Sequence, residues 1–77
     1  MLSSTPRTFV GRTTFQVTGM TCAHCRRAVT EEIGRVDGVE AVTVDLPSGT
    51  VTVAVTRPVD RADIARAVDE AGYILIP

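Results

Sequence analysis

At 77 residues, with eight arginines, no lysine and nine carboxylates for a formal net charge of −1, the chain is sized for one domain and lacks the basic footprint of a nucleic-acid binder. Its aromatic residues are only Phe9, Phe15 and Tyr73, so no strand carries a row of rings for stacking bases. No stretch approaches the roughly 20 apolar residues that span a bilayer, and the opening MLSSTPRTFVGR has no apolar secretory core; a cytoplasmic protein with no membrane insertion is the expectation.

Residues 1–12, rich in Ser, Thr, Arg and Gly, read as a flexible N-terminal tail, and residues 13–77 as the folded domain. Thr13 to Val17 alternates, with Phe15 and Val17 on one face, and predicts a first strand. After a loop at Gly19 to Thr21 the period becomes helical, with Cys25, Val29, Ile33 and Val36 on one stripe until Asp37-Gly38. Val42, Val44 and Leu46 face one way along a second strand. Pro47-Ser48-Gly49 turns, and Val51, Val53 and Val55 face inward along a third, which makes a hairpin. Arg57-Pro58 is expected to break that strand. Asp60 caps a second helix with the stripe Ile64, Ala67, Val68 and Ala71, Gly72 stops it, and Tyr73 to Ile76 forms a last strand. The order βαββαβ is the split βαβ arrangement, an α+β fold with a four-stranded antiparallel sheet and two helices packed on one face.

The chain's two cysteines, Cys22 and Cys25, fall three positions apart at the mouth of the first helix. In a reducing compartment such a pair reads as metal-binding or catalytic rather than as a staple, and a disulfide across two residues closes too short a loop to constrain the unfolded chain. The unpaired N–H groups and positive end of the helix dipole favour thiolate there. Two thiolates with no further ligand suit a soft d¹⁰ ion of low coordination, Cu(I) being the biological example, with Ag(I) and Hg(II) drawn to the same sulfurs. Structural zinc wants four protein ligands. Two exposed sulfurs leave one side of the ion open, so that a partner thiol enters before the first leaves. That chemistry describes a carrier rather than an enzyme. A thiol–disulfide oxidoreductase is the alternative from another class, since thioredoxin-like sites also place C-x-x-C at a helix start. The short chain, the lack of Trp and the strand order speak against it.

The run GMTCAHC, Gly19 to Cys25, resembles the metal loop of the heavy-metal-associated (HMA) domain family, which comprises small copper chaperones and the N-terminal metal-binding domains of copper-transporting P-type ATPases. The resemblance spans residues 13 to 77 and implies a ferredoxin-like fold, a Cu(I) site with Cys22 and Cys25 as ligands, and transfer to a copper-transporting ATPase domain or a copper-sensing repressor. Thr21 looks like the copper-type loop, where zinc- and cadmium-type relatives often carry an acidic residue. The family's periplasmic mercury-binding members carry a signal peptide that is not seen here. Met20 is expected to pack beneath the loop, with thioether ligation the sharper alternative. His24 is expected to face solvent and tune thiol acidity, or to ligate where two chains share a metal; a monomer is the expectation and a metal-bridged dimer the alternative. Tyr73 matches the Tyr common near the copper in bacterial chaperones, a shield for the ion or simply an aromatic closing the core. Arg26 and Arg27 read as a solvated face, with steering toward an acidic domain as the alternative. Ile74 and Ile76 fall on the open sheet face or at an edge. The initiating Met and the short end after the last strand suggest a free-standing protein; an excised ATPase domain would look the same.

Overall fold

The computed structural model describes residues 8–20 and 23–76. Its elements are β1 (Thr8–Thr18), α1 (Ala23–Gly34), β2 (Val39–Asp45), β3 (Thr50–Asp60), α2 (Arg61–Glu70) and β4 (Ile74–Ile76). The sheet runs β2-β3-β1-β4 with every neighbouring pair antiparallel, the ferredoxin-like arrangement expected from the element order. The valines and phenylalanines of β1 and β3 that alternate onto one face, Phe15, Val17, Val51, Val53 and Val55, bury against Val29 and Ile33 of α1 and Ile64 and Val68 of α2. Each such side chain removed from water contributes about 1.5–3 kcal/mol. The opposite face stays open and is lined by Arg12, Thr14, Ala41, Thr43, Thr52 and Ala54, with the Thr14 and Thr52 hydroxyls 2.9 Å apart. Among the described residues no helix is long and apolar enough to cross a membrane.

Two boundaries differ from expectation. β1 begins at Thr8, within the segment anticipated as a tail, because Phe9 is buried there. Its ring meets Phe15 edge-on at 5.4 Å between centroids, and the Arg61 guanidinium lies 5.7 Å from both ring centres. The mixed run Phe9-Val10-Gly11-Arg12 does not alternate cleanly, which hides this extension. The second difference is at Pro58, which does not end β3. Val10 alone separates the paired residues Phe9 and Gly11 on β1, whereas Thr56, Arg57 and Pro58 separate their partners Val59 and Val55 on β3. The proline therefore sits in a bulge, where its missing N–H costs no ladder bond.

The helix ends follow local chemistry. Asp60 caps α2 by accepting from the Ala62 N–H at 2.8 Å. At the far end the Tyr73 N–H donates to the Val68 carbonyl and the Gly72 N–H to the Asp69 carbonyl, with Gly72 at φ +93°. That is a Schellman turn, and it fixes where Tyr73 leaves the helix. α1 stops at Gly34, earlier than the stripe suggested; Val36 follows in a turn, donating its N–H to the Ile33 carbonyl, and still packs on the core.

Candidate metal centre

Antiparallel pairing of Gln16 with Thr50 and of Thr18 with Ile74 brings three connections to one end of the sheet. They are the loop after β1, the β2–β3 hairpin turn and the turn after α2. The strand feeding the first loop is held from both sides. The Val17 N–H donates to the Gly49 carbonyl at 2.8 Å and the Gln16 side-chain amide to the Ser48 carbonyl at 3.0 Å. On the other edge the Thr18 hydroxyl donates to the Ile74 carbonyl at 3.3 Å. These pairings span long stretches of chain, so no local pattern announced Gln16 or the hairpin turn as supports of the loop.

Gly19 opens the loop at φ +90°, and the Tyr73 ring lies against it, with Cδ1 3.2 Å from the point where a Cβ would stand. Tyr73 is half-buried and packs on the core as well. Met20 is buried among core side chains. Thr21 and Cys22 lie outside the described residues. Cys25 stands in the first turn of α1.

The expectation of two exposed sulfurs needs correction at Cys25, which is only 8% exposed and belongs to the core cluster. The reason is helical geometry: Cys25, Val29 and Ile33 fall at i, i+4 and i+8, so the stripe that buries the valine and isoleucine also turns the cysteine inward. Around it the helix start is electropositive. The first turn of α1 holds no acidic residue, and His24, Arg26 and Arg27 are exposed. The partial positive charge of the helix N-terminus therefore meets no carboxylate within its own turn. Ile74 and Ile76 are exposed on the edge strand β4; Leu75 between them points to the core.

Comparison with known proteins gives a consistent picture. The model of the heavy-metal-associated domain matches residues 14–73. A copper chaperone CopZ of Bacillus subtilis (strain 168) is 46% identical over 61 residues, covering 78% of this chain and 88% of that protein. The copper-transporting ATPase 1 of Rhizobium meliloti (strain 1021) is 39% identical over 61 residues, which is 79% of this chain and 7% of the ATPase. Among solved structures, a CopZ metallochaperone superposes with a TM-score of 0.81 at 30% identity, covering 86% of this chain and all of that one.

Proposed function

This chain belongs to the heavy-metal-associated domain family, and on that footing we propose that it is a Cu(I) carrier that binds the ion through Cys22 and Cys25 and passes it on by thiolate exchange. The observation that carries the proposal is the near full-length match to a copper chaperone, 46% identical over 88% of that protein, in a chain whose two cysteines flank the start of α1. Thr21 looks like the copper-type loop, where zinc- and cadmium-type relatives often carry an acidic residue, and this favours the copper reading. Two soft sulfurs suit Cu(I), and Ag(I) or Hg(II) would substitute for it.

The residues divide the work. Cys25 would hold the ion at the rim of the core, where the burial of Met20 and Cys25 keeps water from one side. Cys22, just before α1 in the sequence, would be the sulfur that a partner's thiol displaces. The helix dipole favours both thiolates. Tyr73 would cover the loop from the α2 side. The carrier does no covalent chemistry on its cargo, and its receiving partner is a copper-transporting P-type ATPase domain or a copper-sensing repressor, met in the cytoplasm.

The second reading, a metal-binding domain of a larger copper-transporting ATPase, is favoured by the match to the Rhizobium meliloti enzyme; it would use the same two sulfurs. Anaerobic titration with Cu(I) and with Zn(II) against a competing chelator, with mass followed by light scattering, tests the proposal. One Cu(I) per monomer, or one shared between two chains, is the expected result, with binding lost in Cys22→Ser and in Cys25→Ser. Unchanged Cu(I) affinity in either variant would end it.

A further inference from the structure

The outward side of α1 and the outer edge of β2 enclose a groove of about 560 Å³ that copper binding does not use. Arg26, Arg27, Thr30 and Glu31 line it from the helix, and Val42, Thr43 and Val44 from the strand. β2 is a terminal strand of the sheet, so every second N–H and C=O along it points away from β3 with no strand to meet. Natural sheets blunt such edges with lysine, proline or central charges. Here the one bulge, at Glu40, and the charged residues Glu40 and Asp45 stand near the ends of the strand, and its middle, Ala-Val-Thr-Val, is left open. Val42 and Val44 are half-buried and form an apolar floor. Arg26 and Arg27 are exposed, and no ion pair joins either to a described carboxylate.

An open strand edge, an apolar floor and two guanidiniums on the facing wall together select one kind of occupant. It is an extended segment that carries both apolar and acidic side chains on one face, the face turned toward α1. Its backbone would continue the β2 ladder; of the side chains turned toward α1, the apolar ones would sit on the valines and the carboxylates would meet the arginines in charge-assisted hydrogen bonds. Glu31, the one acid in the lining, would repel a segment shifted too far along the helix and so helps fix register. We propose that this groove binds an acidic, extended peptide segment of a partner protein by strand addition to β2. Because Arg26 directly follows Cys25, a segment held there lies beside the metal loop and tethers its parent protein next to it. The inference does not depend on copper, and the groove should bind in metal-free and loaded protein alike.

The test is an NMR titration of the full chain, with and without Cu(I), using a short peptide with valine and glutamate in turn at every second position and threonine between them, and a counterpart with lysine for glutamate. Expected are amide shifts confined to Val39–Asp45 and the outward side of α1, affinity that falls as salt is added, and a loss of roughly tenfold or more in the double variant Arg26→Glu, Arg27→Glu. Equal binding of the lysine peptide, shifts centred on Thr14 and Thr52 of the open sheet face, or an affinity that the double variant leaves unchanged would each overturn it. Both arginines are exposed, so the variant should fold as the parent does, and the salt dependence of the unaltered protein gives a second readout. Failure of copper binding in the earlier titration would leave this result untouched.

Discussion

The ring of Tyr73 rests on Gly19, its Cδ1 3.2 Å from where a Cβ on that glycine would stand. The contact joins the start of the loop after β1 to the turn that ends α2, two segments more than fifty residues apart in sequence. Two glycines permit it. Gly72 turns the chain through its left-handed conformation so that Tyr73 leaves α2 toward the loop, and Gly19 offers no side chain to keep the ring away.

Alanine at the two positions should separate backbone strain from crowding. Both have φ near +90°, so either substitution is expected to cost about 1 kcal/mol or more from the disfavoured backbone. At Gly72 nothing lies within 4 Å of the new Cβ, and the loss should stop there. Gly19→Ala must also displace the Tyr73 ring. Urea denaturation should rank Gly19→Ala below Gly72→Ala, and an equal midpoint for both would show that the ring moves at no cost.

Removing the ring should expose the loop. In Tyr73→Ala the half-buried aromatic is lost, with an expected stability cost of about 1–3 kcal/mol. If the Cu(I) reading holds, the variant should also release copper to a chelator faster than the parent protein. Stopped-flow transfer measurements check this, and an unchanged rate would assign Tyr73 to core packing alone.

The burial of Cys25 predicts unequal thiol reactivity. A sulfur in the core cluster reacts with a bulky alkylating agent only when the first turn of α1 opens. Mass spectrometry of the metal-free, reduced protein should find Cys22 modified first, with Cys25 following at a rate that rises in mild denaturant. Simultaneous modification would mean that the helix start opens freely.

The extension of β1 should matter to stability although it lies outside the span matched by the family model. A chain begun at Thr13 loses Phe9, its edge-on contact with Phe15 and one ring beneath Arg61. Loss of a buried phenylalanine costs about 3–5 kcal/mol, a large share of what a domain this small has. Thermal unfolding of the shortened and complete chains is the check. As a reference, Ile33→Ala, fully buried, should cost about 2–5 kcal/mol, while Ile74→Ala, 67% exposed, should stay within about 0.5 kcal/mol.

Local rules made much of this protein readable from its residues. Alternating valines at 51, 53 and 55, the helical stripe through Val29 and Ile33, the Asp60 cap and the Gly72 stop each depend on neighbours within a turn or two, and they set the order of elements and hence the sheet. The Gly19 to Cys25 run likewise carried the resemblance to the heavy-metal-associated domain family, which the family match bears out. What only the tertiary structure decided depends on atoms distant in sequence: the pairing of Phe9 with Val59 that lengthens β1, the bulge that accommodates Pro58, and the meeting of Tyr73 with Gly19. Spacing along one chain segment fixes which way a side chain faces on its own helix or strand; whether that direction leads to water, to the core or to another ring is fixed by the element packed against it.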